Sequence, residues 1–132
     1  TIAHVGDSRA YIICADGIRE PLTQDHSLVK RLEELGQITA DEAAVHPQRN
    51  VLYRALGQGE AFKPDIATFA LPRACHLLIC SDGLWGVISE RELLRLVNSA
   101  PNPQQACQSL ADAANAAGGP DNISMILVRL PD

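Results

Sequence analysis

Three short motifs of the chain each place an aspartate in a turn next to an apolar run. The motifs are Gly6-Asp7-Ser8, Ser81-Asp82-Gly83 and Pro120-Asp121-Asn122. Because strands hold the side chains at their ends in defined positions, carboxylates from several strand ends can converge on one place. Mg²⁺ and Mn²⁺ prefer oxygen ligands in nearly octahedral geometry. The pattern therefore predicts a site for a hard divalent cation.

Each of these aspartates also has a purely structural explanation. Asp82 follows the apolar segment 77–80, where an ionised carboxylate is costly without a partner, but Asp-Gly pairs are also common in turns. Asp121 could close an Asx-turn on its own backbone, and Asp7 could pair with Arg9 in a local turn. The neighbouring motifs favour the metal site for Asp82, whereas both explanations remain open for Asp7.

Five segments carry a further signal: AHVGDSRAYI, LTQDHSLVKRLEELGQITADEA, HPQRNVLYRALG, LLICSDGLW and GGPDNISMILV. In this order they resemble the bacterial branch of the metal-dependent protein serine/threonine phosphatases, the type 2C or PPM family. The resemblance extends from residue 1 to about residue 130, and it covers about the C-terminal half of the family's domain. The family's first signature, an Asp-Gly-x-Gly-Gly motif, is absent, since neither Asp16-Gly17 nor Asp82-Gly83 precedes another glycine.

The resemblance implies roles for particular residues. Asp82 and Asp121 correspond to ligands of one metal of a pair. Asp7 corresponds to a ligand of an additional, weaker third site, which shares Asp82 and uses the flap position matched by Asn50. The implied cofactors of the complete domain are two or three Mn²⁺ or Mg²⁺ ions. Asn122 matches a position beside the site, although an ordinary turn hydrogen bond explains it equally well.

The other polar residues indicate a particular function less specifically. Arg49 and Arg54 flank the flap segment and could contact an anionic phosphopeptide through bidentate hydrogen bonds. A solvated surface position explains either arginine taken singly. The histidines are expected to have structural roles, and for His26, at the start of a predicted helix, capping and hydrogen bonding are sufficient explanations.

Composition excludes several classes of function. The net charge of −5 and the absence of Lys or Arg clusters argue against a nucleic-acid partner. No apolar run approaches the ~20 residues needed to cross a bilayer, and no secretory signal is present, so a cytoplasmic protein is expected. Since residue 1 already lies in a predicted strand and is not Met, the chain is expected to be an excised fragment.

The four cysteines form no Cys-x-x-Cys pair. Cys14, Cys80 and Cys107 lie in apolar segments, so buried free thiols in a reducing compartment are expected. None of the cysteines has the Cys-x5-Arg spacing of thiol phosphatases. A thiol nucleophile is therefore not part of the predicted chemistry.

The hydrophobic periodicity predicts an α+β fold. Strands at 1–5 and 9–14 should open a β-meander, and strands at 66–70 and 76–80 should pair. Capping motifs at Thr39, Ser89 and Asn102 predict helix starts, and 123–130 predicts a last strand. The resemblance implies a partial αββα sandwich of antiparallel sheets flanked by helices, without its N-terminal portion. Residues 1–132 would form one partial domain with a flap-like insertion at about 27–57.

The resemblance also implies a function for the full-length parent, namely metal-dependent hydrolysis of phosphoserine and phosphothreonine in proteins, opposing a Ser/Thr kinase. Water activated by the metals would attack directly, without a covalent phosphoenzyme. The fragment alone is expected to be inactive and to self-associate, since it lacks half the ligands and half the core. The alternatives are a non-catalytic phosphatase-like module that binds a partner through its flap face, and a purely structural domain.

Overall fold

A computed structural model of the chain describes residues 1–19, 21–58 and 63–131. These residues form two compact units: unit 1 comprises Thr1–Asp7 and Gln24–Phe69, and unit 2 comprises Ser8–Thr23 and Ala70–Asp132. The elements in chain order are β1 (Ile2–His4), β2 (Arg9–Cys14), β3 (Gly17–Ile18), α1 (Leu28–Glu34), α2 (Ala40–Ala44), β4 (Asp65–Ala67), β5 (His76–Cys80), α3 (Asp82–Trp85), α4 (Glu90–Ser99), α5 (Pro103–Ala116) and β6 (Met125–Arg129). Helices and antiparallel strands occur in both units, so the predicted α+β class is confirmed.

Unit 2 is built on a four-stranded antiparallel sheet in the order β3-β2-β5-β6. Alternate residues of the central strands lie on one face and pack with α4 and α5. The largest fully buried side chains of this core are Tyr11, Ile13, Leu78, Leu84, Leu93 and Leu110. Both long helices begin as predicted: the Ser89 hydroxyl accepts the Glu92 N–H, and Asn102 caps α5 with Pro103 in the first turn.

Unit 1 pairs β1 with β4 in a two-stranded antiparallel sheet and contains the helices α1 and α2. The helix boundaries follow local signals in the sequence. Ser27 caps α1, and Gly36 follows that helix with φ +68°, a left-handed conformation that suits glycine. Thr39 and Glu42 form the predicted reciprocal capping box at the start of α2.

The predicted strand pairing is wrong in two places. β4 pairs with β1 and not with β5, and β1 does not pair with β2 in a meander. Hydrophobic alternation identifies strands but does not select their partners. All three residues of β4 are exposed, which suits a short edge pair, whereas the apolar β5 lies between β2 and β6. The sequence also predicts a third strand of the meander at 18–20 and a loop at 48–64; Glu20 and residues 59–62 of these segments lie outside the described residues.

The prediction of free thiols is wrong for two of the cysteines, because Cys14 and Cys75 form a disulfide. Their Cα atoms are 4.4 Å apart although 61 positions separate them in the sequence. The register of β2 against β5, in which Ile13 faces His76, brings these cysteines opposite each other at the ends of the strands. Cys80 and Cys107 are free, as expected.

The described part of the chain contains no helix with the length and apolar content to span a lipid bilayer. The expectation that residues 1–132 form a single partial domain stays a prediction, as does the assignment of the flap.

Candidate metal site

The turns that carry Asp82 and Asp121 lie side by side at one end of the unit 2 sheet. The last register pair of β5 and β6, Cys80 with Met125, brings the residues that follow β5 beside those that precede β6. The Ser81 N–H donates to the Ser124 carbonyl, and the Ser124 N–H donates back to the Ser81 hydroxyl, both at 3.0 Å. That hydroxyl also donates to the Asn122 carbonyl at 3.3 Å. Main-chain and hydroxyl hydrogen bonds therefore fasten the two turns together.

The backbones of these turns approach closely at Gly83. A Cβ atom built on Gly83 would lie 2.2 Å from the Asn122 carbonyl oxygen, far inside van der Waals contact. Gly83 is buried and has ordinary helical φ, so the need for glycine is one of space rather than of backbone conformation. The glycine of the Ser-Asp-Gly motif thus sets how near the turns can come.

The two carboxylates have similar local hydrogen bonds. Asp82, half-buried at the first position of α3, accepts the Gly83 N–H through Oδ1 at 3.0 Å. Asp121, which is exposed, accepts the Asn122 N–H through Oδ1 at 2.7 Å. Within residues 1–19, 21–58 and 63–131, the second oxygen of each carboxylate has no hydrogen-bond partner. Each aspartate keeps an oxygen for another ligand.

These oxygens fit a hard divalent cation in chemistry, since Mg²⁺ and Mn²⁺ prefer carboxylate ligands. These two carboxylate oxygens alone are too few to complete the coordination shell of such a cation. No cluster of three or more His, Cys, Asp or Glu side chains suited to a metal occurs among the described residues. Asp82 and Asp121 could therefore hold a cation together with oxygens from water or from another segment.

The surroundings of α3 are fixed by an aromatic contact. The Arg9 guanidinium lies 3.6 Å from the centroid of the Trp85 ring, and its Nη1 donates to the Tyr11 hydroxyl at 3.1 Å. Such a cation–π contact joins the end of α3 to β2. Burial raises the pKa of the nearby Cys80 thiol to about 12, against a smaller opposing effect of Arg9. The thiol stays protonated at neutral pH, so Cys80 is no nucleophile.

The third aspartate of the sequence analysis, Asp7, lies in unit 1, where it is half-buried. It follows Gly6, whose φ of +104° is one that glycine adopts readily. Both main-chain polar groups of Gly6 bond to His26: the His26 N–H donates to the Gly6 carbonyl at 2.8 Å, and the Gly6 N–H donates to His26 Nδ1 at 3.1 Å. The turn before Asp7 is therefore held by a histidine 20 positions away.

Sequence reasoning assigned His26 only to capping and hydrogen bonding at a helix start. Its ring is buried, and Nε2 lies 2.8 Å from the Asp65 carboxylate. Its neighbours Asp25 and Ser27 are buried too. A run of three polar residues, of which capping explains only Ser27, was the available signal, but polarity alone does not reveal burial.

Arg54 belongs to the same network. Its Nη1 donates to Asp65 at 2.7 Å and to the Lys63 carbonyl at 3.3 Å. The hydrogen bond from His26, and then Arg54, lower the pKa of the Asp65 carboxyl, while burial opposes them. Arg49 and Asn50 lie in the exposed turn that follows Pro47. Of these flap residues, Arg54 has partners within unit 1, and Arg49 and Asn50 face solvent.

The structure thus brings Asp82, Asp121 and Asn122 together in unit 2, and it places Asp7, Arg49, Asn50 and Arg54 in unit 1. Their assignment as metal ligands or substrate contacts stays a prediction.

Comparison with known proteins identifies the family. Residues 1–123 match the profile of the family described as Protein phosphatase 2C. A putative protein phosphatase 2C-type of Streptococcus pyogenes is 43% identical over 127 residues, which are 96% of this chain and 51% of that protein. The chain therefore spans about half the length of the curated relatives it matches.

Solved structures agree with this. A serine/threonine phosphatase of S. agalactiae superposes with a TM-score of 0.92 at 38% identity, over 97% of this chain and 52% of that one. The catalytic domain of the serine/threonine protein phosphatase PstP, solved in complex with two manganese ions, superposes with a TM-score of 0.84 at 28% identity, over 98% and 53%. These matches confirm the predicted fold class, a part of the phosphatase domain.

Proposed function

The chain belongs to the Protein phosphatase 2C family, and we propose that a protein containing it hydrolyses phosphoserine and phosphothreonine in other proteins. One observation of this structure carries the proposal. The turns of Asp82 and Asp121 are fastened through Ser81, Ser124 and the bare backbone of Gly83, and each carboxylate keeps an oxygen for a cation. A purely structural pair of turns requires no such matched carboxylates.

Asp82 and Asp121 would hold a divalent cation, Mn²⁺ or Mg²⁺, in a domain that takes two or three. When bound, such cations make water a stronger acid and neutralise charge on a phosphoryl group. The residues of this chain would position the carboxylate ligands and the phosphate. The Gly83 contact would keep the two turns, and with them the carboxylates, close together, and the Asn122 amide would orient a carboxylate or a phosphate oxygen.

The unit 1 residues have separate proposed roles. Asp7 and Asn50 would contribute to a weaker third cation site. The exposed Arg49 is a candidate contact for the anionic phosphopeptide. Arg54 is a second candidate for the same contact, and its ion pair with Asp65 would hold the flap segment.

The wider proposal concerns partners and location. The substrates are phosphoproteins, modified by an opposing Ser/Thr kinase, and the reaction takes place in the cytoplasm. The Cys14–Cys75 disulfide is the feature that opposes a reducing compartment. Alkylation of thiols in intact cells, followed by mass spectrometry, checks the location: a fully oxidised pair at steady state would contradict it.

A phosphopeptide assay tests the activity. The chain is produced alone and joined to the N-terminal half of the S. pyogenes relative, and phosphate release is measured with Mn²⁺ and with EDTA. We expect metal-dependent turnover of the joined protein and none of the chain alone. A joined protein that folds, binds phosphopeptide and does not turn it over would favour the non-catalytic binding module.

We also propose that the isolated chain pairs with a second copy. Ile79 and Ile126 face each other across β5 and β6, and Val128 lies on the same face. These side chains are 40%, 62% and 44% exposed, and together they form an apolar patch beside the edge strand β6. Apolar patches and unpaired edges favour association.

Light scattering coupled to size-exclusion chromatography measures this. We expect a dimer or larger species for the chain and a monomer for Ile126→Lys. Leu56→Lys, a change at an exposed apolar residue of unit 1, is the control and should not alter the mass. A monomeric unmodified chain would contradict the proposal.

A further inference from the structure

We propose that His26 is a positioning residue that holds the turn before Asp7 in the conformation that Asp7 needs to bind a cation. The role of Asp7 as a ligand rests on the proposed function. The positioning of the turn by His26 rests on contacts within unit 1 and can be tested separately.

All four hydrogen-bonding groups of His26 have partners in three different segments. Its N–H and Nδ1 bond to Gly6, its carbonyl accepts the Tyr53 N–H at 3.0 Å, and its Nε2 faces Asp65 at 2.8 Å. His26 therefore joins the turn before Asp7 to the flap segment and to β4. A residue that only caps a helix does not need these long-range partners.

The two bonds to Gly6 act on the peptide groups on both sides of that residue. The Gly6 N–H belongs to the peptide that precedes its Cα, and the Gly6 carbonyl belongs to the peptide that leads into Asp7. Because peptide groups are planar, holding both of them leaves little freedom in φ and ψ of Gly6. The direction in which the chain enters Asp7 is thereby defined, at a glycine that would otherwise be free to change conformation.

Asp65 sets the tautomer that makes these contacts possible. The Gly6 N–H donates to Nδ1, so Nδ1 carries no proton and the ring proton lies on Nε2. Nε2 lies 2.8 Å from the Asp65 carboxylate and 3.2 Å from Arg54 Nη1. Because a guanidinium only donates, the proton on Nε2 points to Asp65, whose other oxygen accepts a hydrogen bond from Arg54 at 2.7 Å. A carboxylate that orients a histidine through one nitrogen, and so makes the other nitrogen an acceptor, is a recurrent device in functional sites.

Ring contacts hold the imidazole in place. His26 is 1% exposed, stacks on His4 with ring centroids 5.2 Å apart, and meets the edge of Tyr53 at 5.8 Å. A buried ring with fixed neighbours loses little further entropy when it bonds to the turn. The position therefore requires a planar side chain with two polar atoms at defined places.

Two substitutions test the roles of His26 Nδ1 and Nε2 one at a time. In His26→Asn, the amide oxygen takes the place of Nδ1 and can still accept the Gly6 N–H, while the contact to Asp65 is lost. In His26→Gln, the amide nitrogen takes the place of Nε2 and can still donate to Asp65, while the acceptor for Gly6 is lost. His46→Gln is the matched control, because the partly exposed His46 accepts the Gln48 N–H through Nδ1 at 3.1 Å elsewhere in unit 1.

The first measurement uses the chain itself. Long-range ¹H–¹⁵N spectra should identify His26 as the neutral Nε2–H tautomer. Hydrogen exchange of the Gly6 amide should become about tenfold faster in His26→Gln, the loss expected for one hydrogen bond. In His26→Asn and His46→Gln it should stay within about threefold of the unmodified chain. An Nδ1–H or doubly protonated His26, or equal exchange in the Gln and Asn variants, would overturn the proposal.

The second measurement uses the joined phosphatase and reports on the metal. His26→Gln should raise the Mn²⁺ concentration for half-maximal rate about tenfold, with a smaller change in the rate at saturating Mn²⁺, and His26→Asn should restore most of the affinity. A changed Gly6 exchange with an unchanged Mn²⁺ requirement would overturn the link to Asp7. If the unmodified joined protein has no Mn²⁺-dependent turnover, the proposed function fails, and the exchange data alone still decide whether His26 holds the turn.

Discussion

In unit 2 the Asp82 turn is fastened to its neighbour by main-chain groups, serine hydroxyls and a glycine, whereas in unit 1 the Asp7 turn is held by the side chain of His26. The first arrangement depends on the absence of atoms: a Cβ at Gly83 has no space beside the Asn122 carbonyl. The second depends on the presence of particular atoms, namely two ring nitrogens and the carboxylate that orients them.

This difference indicates how each aspartate should respond to change. A turn held by backbone contacts tolerates most side-chain substitutions nearby but not an added methyl group at the contact. A turn held by a side-chain network is sensitive to each member of that network and to the protonation of its carboxylate.

The largest expected effect separates Asp82 and Asp121, as essential metal ligands, from Asp7. In the joined phosphatase, Asp82→Asn or Asp121→Asn should lower the rate of phosphopeptide hydrolysis at least ~10³-fold, because a lost ligand removes both activation of water and charge stabilisation. Asp7→Asn should mainly raise the Mn²⁺ requirement and leave the maximal rate within about tenfold. Steady-state rates over a range of Mn²⁺ concentrations measure both.

Asp16→Asn is the control for these variants, since Asp16 is an exposed aspartate paired with Arg19 at 2.9 Å. It should behave like the unmodified protein. An Asp7 variant as inactive as Asp82→Asn would remove the contrast between the sites, and near-normal activity of either Asp82→Asn or Asp121→Asn would end its assignment as a ligand.

The next largest effect is expected for a substitution at the Gly83 contact. Gly83→Ala should destabilise the chain by about 3 kcal/mol or more, since the turns must separate to admit a methyl group against backbone. Gly36→Ala is the comparison: its φ is +68°, but no atom lies within 4 Å of the new Cβ, so about 1 kcal/mol is expected. Urea unfolding followed by circular dichroism measures both. Equal losses would mean that the contact is not what requires glycine at residue 83.

The disulfide of unit 2 should contribute a comparable amount. Closing a loop between residues 61 positions apart restricts the unfolded chain, and its reduction should cost about 2–4 kcal/mol. Urea midpoints with and without dithiothreitol give this value, and the double variant Cys14→Ala and Cys75→Ala, which should not respond to the reductant, is the control. No shift in the unmodified chain would mean that the bond constrains little.

The smallest effect concerns pH and the unit 1 network. The pKa of Asp65 is lowered, first by the hydrogen bond from His26. A lowered carboxyl pKa stabilises the fold above the ordinary value of about 4, and this stability is lost as pH falls through the folded-state pKa. Below pH ~4 the unmodified chain should therefore lose more stability than Asp65→Asn. Because the Asp65 side chain is 56% exposed, the difference should be well under ~1 kcal/mol.

Urea midpoints at pH 7, 5 and 3 test this. The variant Asp112→Asn, at an exposed carboxylate bonded to Gln108, controls for the loss of a surface charge. Parallel pH profiles for Asp65→Asn and the unmodified chain would contradict the proposed coupling.

Local signals in the sequence were sufficient for the starts of α1, α2, α4 and α5 and for the aspartate motifs, whereas the short α3 was not predicted. Capping at Ser27, Thr39 and Asn102 satisfies amides within one turn, so the residues that determine a helix start lie next to it. The motifs of Asp82 and Asp121 could also be recognised locally, together with the family to which they belong. Their positions at strand ends and the resemblance together made them candidates for one site, since their separation in the chain says nothing about their distance in space.

Tertiary structure decided the partners. The order of the strands brought Cys14 opposite Cys75, put β4 beside β1, and joined the turns of Ser81 and Ser124. It also buried His26 between Gly6 and Asp65. These contacts depend on which apolar surfaces pack together across many intervening residues, a property of the whole chain. The sequence by itself determined which residues could do chemistry, and long-range packing determined which of them meet.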